Sequence, residues 1–234
     1  GFRRVGIDSS GVLHKMGNVL LGLNRYDDAL VTFDHIPDKV TFGGSVANNL
    51  GTYFIGRKEY GKALPWLKQA VNQNPDFYVA SVSLGHLYLR LKDTSRAIEV
   101  FRDAAFVHNM HPDHQFELGR LLYDLEQYED AMICFKRVVG LQYKDVKGLY
   151  YLGLAQAALK DYGSARDHFK RAIAFGFRQV DVYQSLGTVY MYLESYEAAA
   201  EVYQKGLALK PNGAGMYTML GVAQMNLKRY DAAE

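Results

Sequence analysis

Apolar and small residues recur along this chain at one fixed spacing. From Gly17, steps of 34 residues reach Gly51, Gly85, Gly119, Gly153, Gly187 and Gly221 without a slip. Immediately before them stand Met16, Leu50, Leu84, Leu118, Leu152, Leu186 and Leu220. Three residues after them come Leu20, Phe54, Tyr88, Leu122 and Tyr190, interrupted by Gln156 and Gln224. Offsets of this kind place side chains on one face of a helix. A second stripe follows in each period. It opens with Tyr26, Tyr60, Thr94, Tyr128, Tyr162, Tyr196 and Tyr230. It continues with Ala29, Ala63, Ala97, Ala131, Ala165, Ala199 and Ala233, then Phe33, Leu67, Phe101, Phe135, Phe169 and Tyr203. Ile36, Ala70, Ala104, Val138, Ala172 and Gly206 complete it. The pattern predicts two amphipathic helices per period. Polar turns such as Asn24-Arg25, Lys92-Asp93 and Lys160-Asp161 separate them, and Lys210-Pro211-Asn212-Gly213 closes a period. Gly and Ala carry almost no side chain, so the helices approach closely there while the large residues fill the surrounding space.

Two prolines test this reading. Pro37 falls inside the second helix of the first period and is followed by Gly43-Gly44, which predicts an early helix end and irregular packing. Pro65 falls near the start of the next second helix, where proline is tolerated.

Together these positions resemble the tetratricopeptide repeat, a 34-residue helix–turn–helix unit with the pattern W-x2-L-G-x2-Y, A-x3-F and a closing Pro. The copies run 10–43, 44–77, 78–111, 112–145, 146–179 and 180–213, with the first helix of a seventh at 214–234. Residues 1–9 form a lead-in. No copy has Trp at the first site, where Leu13, Ala47, Ser81, Gln115, Leu149, Tyr183 and Tyr217 stand. The closing Pro is clear only at Pro75 and Pro211. The resemblance implies an all-α fold, a right-handed superhelical solenoid of antiparallel helix pairs. It also implies a non-enzymatic scaffold that binds a protein or peptide in a concave groove lined by the first helices.

Composition narrows the alternatives. Lys+Arg 27 against Asp+Glu 25 leaves +2, which argues against nucleic acid or an anionic membrane as the main partner. The 49% apolar content argues against disorder, and no apolar run is long enough to insert into a membrane. The single Cys134 excludes a disulfide framework and a cysteine-rich zinc site. It leaves the compartment open between cytoplasm and, behind a removed leader, periplasm or membrane surface. Tyr230-Asp231-Ala232-Ala233-Glu234 reads as the opening turn of an unfinished helix, which predicts a piece of a longer protein.

Within the implied groove, the register selects Asn18 and Asn49, then His86 with Arg90. It next selects Phe116, Arg120 and Tyr123, then Tyr150 and Tyr151, and lastly Met191 with Tyr192. The groove is thus polar at its N-terminal end and aromatic beyond, and aromatic and Met side chains are common interface anchors. Asn18 and Asn49 match two sites of the two-carboxylate clamp of chaperone-binding relatives. His14, Val79 and Ser83 depart from the rest of it. The asparagine ladder of sugar-transferase relatives is absent: its row reads Lys15, Asn49, Ser83, Glu117, Tyr151, Ser185 and Met219.

Catalytic and cofactor signals are weak. His108, His111 and His114 lie three apart beside Pro112 and read as a solvated turn rather than a metal site. His168 reads as a surface residue, and Cys134 as a small core side chain. The glycines follow the repeat and form no phosphate loop, so no cofactor is expected. Two other functions stay open: a regulatory or targeting array of a larger enzyme, and an envelope assembly factor in pilus or secretion biogenesis. Self-association through an uncapped seventh repeat, built on Leu220, Val222 and Leu227, is a further expectation.

Overall fold

The computed structural model describes residues 9–36, 39–107 and 110–231, excepting the side chains of 39–41 and 229–231. The lead-in residues 1–8, Pro37, His108 and Ala233 lie outside the described residues. Every regular element among the described residues is a helix. In order they are α1 (Ser9–Gly22), α2 (Tyr26–Asp34), α3 (Lys39–Gly56), α4 (Tyr60–Gln73), α5 (Tyr78–Arg90), α6 (Thr94–Ala105) and α7 (Pro112–Asp124). There follow α8 (Tyr128–Leu141), α9 (Val146–Ala158), α10 (Tyr162–Ala174), α11 (Val180–Tyr192), α12 (Tyr196–Leu209) and α13 (Ala214–Asp231). They group into an N-terminal unit, Gly1–His108, and a C-terminal unit, Asn109–Glu234. In each unit the odd-numbered helices open a pair and the even-numbered ones close it, making a solenoid of helix pairs.

One steric contact builds every pair. The periodic alanines at positions 29, 63, 97, 131, 165 and 199 are all 0% exposed. Across from them, the glycines at 17, 51, 85, 119, 153 and 187 each lie under the large side chain sixteen residues later. A Cβ on Gly153 would stand 2.6 Å from Cε1 of Phe169, and one on Gly51 2.5 Å from Cγ of Leu67. Phe33, Phe101, Phe135 and Tyr203 cover Gly17, Gly85, Gly119 and Gly187 in the same way. Each such side chain, once buried, contributes about 1.5–3 kcal/mol.

The turn inside each pair is as regular as the contact it serves. Asn24, Lys58, Lys92, Glu126, Lys160 and Glu194 all have φ between 56° and 63°. In the fifth pair Lys160 N donates to Ala157 O at 3.0 Å and Asp161 N to Gln156 O at 2.8 Å. The same two bonds close α1, α3, α5, α7 and α11, satisfying carbonyls that would otherwise be orphaned. None of the six left-handed positions is glycine. Asp93 and Asp161 then cap the helices that follow, and Asp145, in the loop between two pairs, caps α9.

Several expectations need correction. α2 does end early, at Asp34, but Gly43 and Gly44 lie inside α3, which starts early at Lys39. The short α2 leaves an apolar cleft of about 370 Å³ in the N-terminal unit, walled by Leu30, Phe33, Phe42, Val46 and Trp66. Pro65 is the sixth residue of α4, beyond the first turn. The bond its missing N–H would make is that to Gly61, which is exposed, so water can serve the freed carbonyl. Met16 is 54% exposed, because no described helix precedes α1 to cover it. Tyr230 starts no new helix: α13 continues through Lys228, where the six earlier pairs turn. A Cβ on Gly221 would meet nothing within 4 Å, so no side chain holds a returning helix there. Of the three residues expected at an uncovered end, Val222 is exposed, Leu227 is half-buried and Leu220 packs against the core of α12 and α13.

Two substitutions separate packing from backbone conformation. Gly153→Ala should destabilise the protein by about 1–3 kcal/mol through overpacking against Phe169. Gly140→Ala, in α8 with nothing near its Cβ, should stabilise it by roughly 0.5–1 kcal/mol. Equal effects in urea denaturation would refute the steric account. Lys92→Gly should gain about 0.5–1 kcal/mol, the left-handed cost it relieves being partly offset by a freer unfolded chain.

Candidate functional site

In the N-terminal unit the polar residues of α1 and α3 meet one another. Asn49 Nδ2 donates to Asn18 Oδ1 at 2.8 Å and lies 3.2 Å from His14 Nε2. Ser45 Oγ lies 3.0 Å from the same nitrogen. The Asn49 amide nitrogen can only donate, so Nε2 accepts and the neutral ring carries its proton on Nδ1. The ring packs between Phe33 and Phe42, and burial pushes its pKa below the usual histidine value. Asn18 and Asn49 therefore spend hydrogen-bonding capacity on each other. His86 and Arg90 are exposed on α5, and the His86 ring stands edge-on to Phe101 at 5.7 Å.

In the C-terminal unit four of the aromatic candidates join in one cluster. Tyr151 meets Phe116 edge-on at 5.3 Å, Tyr150 at 5.4 Å and Tyr123 at 6.4 Å. Tyr150 reaches back onto Phe169 at 5.8 Å and Phe177 at 5.1 Å, so half of its ring serves the core. Its hydroxyl bonds to Ser185, and burial raises its pKa. Arg120 is exposed on α7, three residues before Tyr123. Met191 packs against the core of α12 and α13, apart from the cluster.

Beside this cluster, α9 and α11 frame a cleft of about 400 Å³. Tyr123, Leu154, Tyr162 and Tyr192 supply apolar surface, and Gln184, Ser185 and Thr188 supply polar atoms. Tyr192 is 63% exposed and stacks on Tyr162 with ring centroids 4.6 Å apart and planes 2° from parallel. Thr188 Oγ1 lies 3.3 Å from Tyr203 Oη, which fixes the cleft floor. Register reasoning missed Tyr162 and Lys160, which also lines this cleft, because both sit at positions assigned to core and turn. The signal for Tyr162 was its place as first residue of α10, where a ring is only half covered.

Among the described residues no three His, Cys, Asp or Glu side chains converge as metal ligands. His111 caps α7, and its ring lies 5.7 Å from that of His114 inside the helix rather than in a turn. His168 is half-buried, with Nδ1 2.9 Å from Ser164 O, and is not a free surface residue. Burial pushes the Cys134 thiol up to about 11, which suppresses the reactive thiolate.

Comparison with known proteins agrees with the repeat. The model described as "Tetratricopeptide repeat" matches residues 48–111, 82–142 and 116–177, and the one described as "TPR repeat" matches 187–228. Among solved structures, YrrB, titled a TPR protein with an unusual peptide-binding site, is 21% identical. It covers 74% of this chain and 89% of its own, with a TM-score of 0.61. MamA from Desulfovibrio magneticus RS-1 is 21% identical, covering 73% and 96%, with a TM-score of 0.57. Pseudomonas aeruginosa pilF is 16% identical, covering 84% and 96%, with a TM-score of 0.53. At these identities the likeness is one of fold. No curated protein sequence matches the chain.

The half-buried His14 should make stability depend on pH. Its folded pKa lies below the unfolded value, so its contribution is complete above about pH 6.5 and falls as the unfolded chain takes up a proton below that. His168, also depressed by burial, acts in the same direction. The Tm should drop between roughly pH 7 and pH 5, and His14→Gln should flatten that slope. An unchanged slope in thermal melts would rule out the His14 contribution.

Proposed function

The chain belongs to the tetratricopeptide repeat family, and from that premise we propose that it is a non-catalytic interaction module holding a peptide segment of a partner in the α9–α11 cleft. The observation that carries this reading is the exposed Tyr162–Tyr192 stack beside a fixed polar floor. Tyr192 offers a large rigid surface that loses little conformational freedom on contact, as interface anchors do. Gln184, Ser185 and Thr188 line the same cleft and offer polar atoms to the main chain of an extended segment. Tyr123 closes the cleft and links it to the ring cluster of Phe116, Tyr150 and Tyr151. The Asn18–Asn49 pair already shares one amide hydrogen bond, and the aromatic half offers the larger exposed contact surface.

Peptides selected against the full chain from a random display library supply the test. Their affinity is then measured by calorimetry on the wild type, Tyr192→Ala and Tyr123→Ala. Loss of an aromatic anchor should cost about 2 kcal/mol, a thirtyfold weaker Kd, with the fold retained by circular dichroism. Selected peptides that bind both variants as well as the wild type would place binding elsewhere and sink the assignment.

A further inference from the structure

The near-zero net charge conceals a sharp separation within the C-terminal unit. The segments 136–145, 170–179 and 204–213 comprise the last turns of α8, α10 and α12 and the loops after them. They carry eight basic side chains and one carboxylate, Asp145. The turns inside the pairs, 124–130, 158–164 and 192–198, carry seven carboxylates and one basic side chain, Lys160. α8 and α12 thus start in acidic surroundings and α10 beside a balanced Lys160 and Asp161, while all three end in basic ones. Helix dipoles favour that arrangement. They do not account for what accompanies the basic groups.

A row of exposed apolar side chains runs along the basic edge at the repeat spacing. Leu141, Phe175 and Leu209, each 34 residues from the next, are 68%, 39% and 48% exposed. Each follows a basic residue by one helical turn: Arg137, Arg171 and Lys205, the last ion-paired with Glu201 at 2.6 Å. Tyr143 extends the row, meeting Phe175 edge-on at 6.3 Å, while Lys144 Nζ lies 5.3 Å over the Tyr143 ring. These apolar tips line none of the clefts described above; Leu141 and Leu209 project singly, and Tyr143 and Phe175 meet each other edge-on. An acidic peptide would need pockets to anchor it, whereas a fluid bilayer needs none and supplies anionic and apolar layers together.

We propose that this basic edge of the C-terminal unit docks on an anionic lipid surface, with Leu141, Tyr143, Phe175 and Leu209 entering the headgroup layer. Contact is peripheral: no described helix is long and apolar enough to cross a membrane. The proposal is independent of the α9–α11 cleft, which leaves a bound peptide and a lipid surface able to act together.

Co-sedimentation of the full chain with phosphatidylcholine vesicles, with and without phosphatidylglycerol, tests it. Binding is expected on the anionic vesicles alone and should fall steeply with added salt, a measurement that needs no variant. Lys170→Glu/Arg171→Glu should weaken partitioning by more than about tenfold, near fivefold for each lost cation. Leu141→Ser/Phe175→Ser/Leu209→Ser should weaken it likewise, whereas Tyr192→Ala should bind as the wild type. Absence of binding, or equal binding to neutral vesicles, would overturn the proposal. So would a stripe that captures heparin or nucleic acid while the triple serine variant keeps its vesicle affinity, because the apolar row would then play no part.

Discussion

The whole structure depends on one close approach. In each pair a glycine backbone lies against a ring or a leucine from the following helix, with an alanine of no exposed surface alongside. Neither side can change alone. A Cβ on the glycine collides with a buried side chain, and a smaller partner leaves a cavity. Because the two members are sixteen residues apart, the chain must reverse within a few residues to bring them together. The left-handed turn at Asn24, Lys58, Lys92, Glu126, Lys160 and Glu194 is that reversal, held although no glycine eases it. Packing energy is what sustains the strained backbone.

The same packing decides which groove residues remain free to act. Register alone identified Phe116, Tyr123, Tyr150 and Tyr151 as neighbours, and the rings do meet. It could not say that Tyr150 spends half its surface on Phe169 and Phe177, or that Met191 turns into the next core. It also could not say that Asn18 and Asn49 bond each other. Each outcome depends on rotamers and on side chains from another helix. Tyr162 illustrates the converse case. A repeating position was assigned to the core, yet at the start of α10 its ring is only partly covered and forms one wall of the cleft.

Charge tells a related story. A balance of 27 basic against 25 acidic residues reads as neutral, and neutrality argues against an anionic partner. The balance is an average over two edges of opposite sign. The repeat gathers acidic residues at the starts of α8 and α12 and basic residues at the ends of α8, α10 and α12, so a composition count cancels a field that the surface retains. The exposed Leu141, Phe175 and Leu209 share that logic. Each is an ordinary surface residue alone, and the repeat aligns them.

The period, the pairing of helices, the turns and nearly the full core were legible in the residues alone, because those rest on residue size at fixed spacing. Gly, Ala and a large side chain at constant offsets admit few other arrangements. Tertiary structure decided whatever depends on a neighbour being present. Met16 occupies the same register as Leu118 yet is exposed, for want of a described helix before it. Lys228 occupies the same register as Lys160 yet stays helical, since no side chain returns over Gly221 to hold a turn. An identical local pattern buries, turns or opens into a cleft according to what packs on it, because backbone propensities are worth tenths of a kcal/mol and buried side chains are worth several-fold more.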